Sequence, residues 1–221
     1  MRRLLVLAFL SAGCAAWDCP LADDPEEAPR AKQEKKDEAK ALFDGKSLTG
    51  WKATEYGGQG DVTVKDGEIT VAMGAALSGI TWAGAEFPKT NYEVALEGQK
   101  VDGDDFFCGL CFPVADEHCS FVLGGWGGQV VGLSSINGMN ASENDTTKIK
   151  EFKKGQWYKI RLKVTPAKIE AWIDDKPMIE QVVDKDNKIS LHPAMELGKP
   201  FGIATYVTTS KFRNITLKKL K

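Results

Sequence analysis

From Leu42 onward, apolar and polar residues alternate in short runs, and each run is closed by Gly, Asp or Pro. Successive side chains of a strand point to opposite faces, so this period of two marks half-buried β-strands. Runs of this kind cover Asp61–Val64, Glu68–Ala72, Ile80–Trp82, Tyr92–Leu96, Phe106–Phe112, Ser120–Leu123 and Gln129–Leu133. Others cover Tyr158–Val164, Ile169–Ile173, Met178–Val183, Phe201–Val207 and Phe212–Leu220. No stretch of this region carries a sustained helical stripe. The 22 glycines of the chain supply its turns, and Asp66-Gly67 between two runs is a strong hairpin signal. The expectation is an all-β chain: a two-sheet antiparallel sandwich of the jelly-roll kind over residues 42–221.

One hairpin is specified down to its register. With Pro166-Ala167 as a two-residue turn, Val164 faces Ile169, Leu162 faces Ala171 and Ile160 faces Ile173, giving one apolar face. The other face then sets Lys163 opposite Glu170, Arg161 opposite Trp172 and Lys159 opposite Asp174. Two ion pairs and a cation–π contact follow, each worth a few tenths to about 1 kcal/mol. Trp172 therefore lies off the core, either shielded by Arg161 or offered as a stacking platform for sugars.

The first 41 residues are of another kind. Arg2 and Arg3 precede the short apolar run Leu4–Leu10, and small residues follow up to Cys14. That is the pattern of a secretory signal over residues 1–16, too short to span a bilayer as a mature helix. Leu10-Ser11-Ala12-Gly13-Cys14 resembles a bacterial lipobox, in which Cys14 becomes the lipidated first residue. Ordinary cleavage after Ala16 is the competing reading. Residues 17–41 hold eight acidic and five basic side chains, three prolines and few apolar groups. Such a segment cannot bury enough surface to offset the entropy of ordering, so it is expected to be a disordered charged tether. The chain as a whole has 29 basic and 31 acidic residues. It lacks the concentrated basic face that nucleic acid requires.

Export permits disulfides. Cys108 and Cys111 form C-x-x-C, but within a strand they point to opposite faces, which argues against a redox or zinc pair. Pro113–His118 reads as a hairpin loop returning into Cys119, so Cys119 meets Cys111 or Cys108 or stays a buried thiol. The pairing among Cys19, Cys108, Cys111 and Cys119 is left open.

The run Leu42-Phe43-Asp44-Gly45-Lys46-Ser47-Leu48-Thr49-Gly50-Trp51 resembles the opening of the 3-keto-disaccharide hydrolase domain family. Val64–Ile69, Phe87–Leu96, Gly155–Tyr158, Ile169–Asp174 and Phe212–Ile215 are similar to further segments of it. The resemblance implies the concanavalin A-like lectin/glucanase sandwich and a carbohydrate ligand. In the family a "G-Y-E-[VL]-Q-I" strand carries a glutamate. Here Cys119–Leu123 runs into Gly124-Gly125-Trp126-Gly127-Gly128, and the glutamate has no counterpart.

The resemblance also implies a chemistry. A 3-keto sugar has an acidified C2 proton; a base removes it, the C1 substituent leaves, and water adds to the resulting glycal. That route needs one base and a group to stabilise the enolate, not the spaced carboxylate pair of ordinary glycosidases. His192 and His118 are the candidate histidine bases, with Asp104 and Asp105 next. Trp126, flanked by two glycines on each side, is the leading sugar platform, followed by Trp172 with Arg161. Glu143 and Asn144 lie in a polar loop suited to line a binding face. No cofactor is called for, and no zinc spacing or EF-hand loop occurs. A structural calcium on backbone oxygens stays open without an assignable ligand. Three readings stand: a 3-keto-glycoside hydrolase or lyase, a lectin-like module, and a structural protein of the cell envelope.

Overall fold

The computed structural model describes residues 38–221. Its strands are β1 (Lys40–Ala41), β2 (Trp51–Ala53), β3 (Val62–Lys65), β4 (Glu68–Val71), β5 (Leu77–Trp82), β6 (Tyr92–Gly103), β7 (Cys108–Val114), β8 (Glu117–Gly124), β9 (Val130–Ser134), β10 (Lys148–Ile149), β11 (Trp157–Val164), β12 (Lys168–Ile173), β13 (Lys176–Val182), β14 (Gly202–Tyr206) and β15 (Thr208–Lys219). They form two antiparallel sheets. One runs β13-β12-β11-β6-β15-β4-β3, with β1 added at β15, and the other runs β10-β9-β8-β7-β14-β5-β2. This is the all-β, two-sheet sandwich expected from the alternation.

The inward-facing residues of both sheets make one core. Val94 and Leu96 of β6, Ile160 and Leu162 of β11, Leu110 and Phe112 of β7, and Phe121 and Leu123 of β8 are all buried in it. Four aromatic rings form one connected cluster at this core. Phe87 and Phe201 stack with centroids 4.6 Å apart, and Trp51 packs edge-on to Trp82 at 5.3 Å. Such pairs contribute about 0.5–1.5 kcal/mol beyond their buried area.

The β11–β12 register is the one read from sequence: Val164↔Ile169, Leu162↔Ala171 and Ile160↔Ile173. Lys163 and Glu170 form an ion pair at 3.2 Å, and the Arg161 guanidinium lies 3.7 Å from the Trp172 ring centroid. The expected Lys159–Asp174 ion pair is replaced. Asp174 and Asp175 both adopt left-handed φ in the turn into β13, and the Asp174 carboxylate folds back to accept the Lys159 backbone N–H at 2.9 Å. At Asp66-Gly67 both residues have positive φ, 53° and 80°, as a tight hairpin turn demands.

Three expectations change. Lys40–Ala41, assigned from sequence to the tether, pairs with Leu217 and Thr216 of β15 and belongs to the sandwich. The loop expected over Pro113–His118 is a tight turn at Ala115-Asp116, because Val114 already pairs with Glu117. His118 therefore lies on β8. That turn also sets Cys119 opposite Phe112, Cys111 opposite Ser120 and Cys108 opposite Leu123, so no two of these thiols meet. All three are free and buried, and burial raises each pKa, that of Cys111 to about 12. Cys108 faces the core and Cys111 the opposite side, as the strand argument required. The signal, Cys14, Cys19 and nearly all of the tether lie outside the described residues.

Candidate functional site

The outer face of the seven-stranded sheet is built from small residues, and segments of chain lie flat upon it. Gly109 of β7 lets the Phe106 ring rest on the strand; a Cβ there would sit 3.0 Å from the ring. Gly132 of β9 admits the 140s turn, since a Cβ would meet the Ala141 carbonyl at 2.8 Å. Cys111 supports a six-residue 3-10 helix, Pro193–Gly198, where a Cβ on Gly198 would lie 3.0 Å from Cys111 Cβ. Between these covering segments opens a cleft of about 420 Å³, within the ordinary range for ligand sites.

Two groups of side chains line it. Leu77, Phe106, Met195 and Tyr206 make a continuous apolar wall. Leu77 is the cross-strand partner of Tyr206, Tyr206 stacks on Phe106 at 5.9 Å, and Phe106 and Leu77 pack on the Met195 cluster. The other group is Trp126, Asp105, Ser120, Val122, Ser134 and Asn140. Trp126 sits in the Gly125–Gly128 turn with φ 48° and ψ 59°, left-handed values that cost energy for a side chain so large. Its neighbours Gly124, Gly127 and Gly128 also have positive φ, so this turn needs its glycines. Trp126 is 48% exposed, the unshielded indole expected from sequence.

Asp105 locks this turn to the β6–β7 connection. One carboxylate oxygen accepts the Phe106 N–H at 2.7 Å, and the other accepts the Gly127 N–H at 3.3 Å. Beneath it Lys100 is buried, and a Cβ on Gly128 would meet its Nζ at 3.1 Å. Burial lowers the Lys100 pKa, against the pull of Asp104 and, less strongly, Asp105. Ser120 Oγ donates to the Ser134 carbonyl at 2.6 Å, and Ser134 Oγ lies 3.5 Å from Asn140 Oδ1.

His192 enters the lining as the cap of the 3-10 helix. Its Nδ1 accepts the Ala194 N–H at 3.2 Å. With that bond made, Nε2 is the ring nitrogen left to face the cleft, as a hydrogen-bond donor in the tautomer that carries its proton there. His118 is not in the lining. Its ring lies on β8 with Nε2 buried and unpartnered, and burial lowers its pKa. Asp104 points away from the cleft, its side chain 96% exposed and 3.8 Å from Lys154.

The four other residues expected to touch a ligand lie outside the lining. Asn144 is buried and structural. Its amide donates to the carbonyls of Leu133, Met139 and Asn140, while its oxygen accepts from the N–H and hydroxyl of Thr146. Glu143 is exposed and accepts the Asn140 N–H at 3.1 Å, closing the same turn. Trp172 and Arg161 lie on the outer face of the other sheet, beside a separate depression of about 260 Å³, where Arg161 covers the indole and pairs with Glu93 at 3.2 Å. Among the described residues no three His, Cys, Asp or Glu side chains converge as metal ligands do.

Sequence reasoning missed Phe106, Tyr206 and Ser134, and within the polar loop that begins at Asn140 it singled out Glu143 and Asn144 where the lining takes Asn140. The available signal was at Tyr206: it alternates outward from Ile203 of the core and so belongs to the same face as Ala204. If the indole is the sugar platform expected from sequence, Trp126→Ala weakens sugar binding by about 1–3 kcal/mol, by analogy with base stacking on aromatics, while the melting temperature holds. Titration calorimetry with a thermal melt checks it; an unfolded variant would show the indole to be a packing element instead.

The sandwich is shared by proteins of little sequence identity. A Bacillus subtilis protein with a galectin-like fold superposes with TM-score 0.55 at 10% identity, covering 78% of this chain and 90% of its own. The carbohydrate-binding module CBM66 from Bacillus subtilis gives 0.52 at 12%, covering 77% and 96%. The Crh5 transglycosylase in complex with NAG gives 0.54 at 10%, covering 80% and 81%. No curated protein matches by sequence. A family model does, over residues 38–218, nearly the whole sandwich, and the chain belongs to the 3-keto-alpha-glucoside-1,2-lyase-like domain family.

Proposed function

We propose that the cleft binds a 3-keto-glycoside and cleaves its glycosidic bond by elimination and hydration. The observation that carries this reading is the joining of an exposed indole, Trp126, to a fixed carboxylate, Asp105, and a ring N–H donor, His192, in one cleft. Asp105 is the carboxylate of the lining and takes the C2 proton. The C2–H electron pair becomes the C1–C2 double bond as the C1–O bond breaks, and the proton passes from Asp105 to the departing oxygen. Water then adds across the double bond, its OH to C1 and its H to C2. His192 Nε2–H and the Asn140 amide serve as donors to the oxygens that gain charge. The Trp126 face stacks on the sugar's C–H face.

Only a 3-keto sugar has the acidic C2 proton, so the purified protein should release aglycone from a 3-keto-glucoside and leave the unoxidised glucoside intact. Equal cleavage of both would exclude this chemistry. A second reading, a lectin-like module without catalysis, is favoured by the two β8 side chains that face the cleft. These are Ser120 and Val122, on the strand that bears a glutamate in similar sequences. Binding of 3-keto-glucosides with no turnover would select it. Export belongs to the same proposal, with Cys14 as the lipid attachment point. Release of Cys14→Ser from the membrane fraction supports it, and unchanged fractionation counts against it.

A further inference from the structure

We infer that the cleft is specific for glycosides whose leaving group is a flat, uncharged apolar moiety, and that Tyr206 with Phe106 selects it; this rests on the glycoside reading above. Asp105 is tied to the Trp126 turn, and Ser120, Ser134 and Asn140 are linked to one another; with His192 at the cap of the Pro193–Gly198 helix they are the polar partners the lining offers a sugar's hydroxyls. The remaining wall, Leu77, Phe106, Met195 and Tyr206, has the Tyr206 hydroxyl as its single polar side-chain group. Its two rings are stacked with 24° between the planes, so Phe106, resting on Gly109, backs the half-exposed Tyr206 ring.

Tyr206 is 41% exposed, and the side chains next in sequence to two lining residues, Val207 after Tyr206 and Met139 before Asn140, are exposed apolar groups as well. Val207 is held there at φ 44°, a left-handed conformation that a β-branched residue adopts only under constraint. Backbone bonds supply the constraint: Tyr206 N–H to Phe106 O at 3.0 Å and Val207 N–H to Ala76 O at 3.1 Å. The lining contains no Lys or Arg, so nothing there recognises an anionic leaving group. A second sugar would place its hydroxyls against this wall without partners, which costs binding. A phenyl or similar ring buries apolar area at no such cost.

The test uses the full chain and two 3-keto-D-glucosides, benzyl and methyl, each in both anomers. Both release a primary alcohol, so the chemical step differs little between them. Binding is read by tryptophan fluorescence and turnover by alcohol release. The benzyl compound should bind about tenfold or more tightly. In Tyr206→Ala the benzyl-to-methyl ratio should fall toward one, while Trp126→Ala should weaken both compounds in proportion. Equal affinity of the wild type for the two, or a ratio unchanged in Tyr206→Ala, overturns the inference and leaves the glycoside reading standing. Failure of both compounds to bind overturns the glycoside reading and this inference with it.

Discussion

Asp105→Asn should lose about 100-fold or more of the turnover on a 3-keto-glucoside, the usual contribution of a positioned general base. The substitution keeps the side chain's shape, and the amide oxygen can still accept the Phe106 N–H, now accepted at 2.7 Å. The contact to Gly127 becomes N–H against NH₂, so a loss of about 1 kcal/mol in stability is expected. Aglycone release and a thermal melt on the same preparation separate the two effects. Asp104→Asn is the matched control. Its carboxylate is 96% exposed, 3.8 Å from Lys154 and outside the cleft lining, so turnover should stay near wild type. His118→Gln should likewise leave the chemistry alone, because His118 lies outside the cleft lining. Wild-type turnover in Asp105→Asn would remove this residue as the base.

Phe212→Ala should cost about 3–5 kcal/mol of stability, the range for truncating a buried aromatic ring. Phe212 is fully buried on β15, in a core where Gly98 of β6 leaves room for large neighbours. A Cβ on Gly98 would lie 3.1 Å from Ile160, 3.3 Å from Phe107 and 3.5 Å from Phe212. The three side chains close over that glycine, so removing the ring opens a cavity between Gly98, Ile160 and Phe107. For a domain of this size the melting temperature should fall by roughly 10 °C or more. Differential scanning calorimetry measures it. A shift of only a degree or two would mean that the core relaxes into the space, contrary to the packing described.

These two substitutions mark different kinds of knowledge. Phe212 was legible as a core residue, since it stands in an alternating run and begins the closing Phe-Arg-Asn-Ile segment. Asp105 stood beside Asp104 with nothing to distinguish them. Only the Gly127 N–H, supplied by a distant turn, separates the carboxylate that lines the cleft from the one that faces solvent. Asn144 shows the reverse error. A polar residue in a polar loop invites a ligand role, yet its side chain is consumed by five hydrogen bonds, four around its own turn and one to Leu133 of β9. Sequence states what a side chain offers; whether the backbone has already taken the offer depends on how the loop closes.

By itself the sequence determined the all-β class, the register of the β11–β12 hairpin, the facing of Cys108 and Cys111, and the family. The first three follow from local rules: side chains alternate along a strand, and two-residue turns set opposite partners; the family rests on the motif resemblance that opens with Leu42–Trp51 and closes with Phe212–Ile215. The site belongs to the tertiary structure. Alternation tells which residues share a face of a strand, not which strands become neighbours. Here β14 is inserted between β7 and β5, and β15 between β6 and β4. That order brings Tyr206 beside Leu77 and over Phe106, and the small residues of the outer face let the 140s turn and the Pro193–Gly198 helix close down around them. The cleft exists because side chains are missing at Gly109, Gly132 and Gly198, and the value of an absent side chain appears only when the chain that fills its place has been folded onto it.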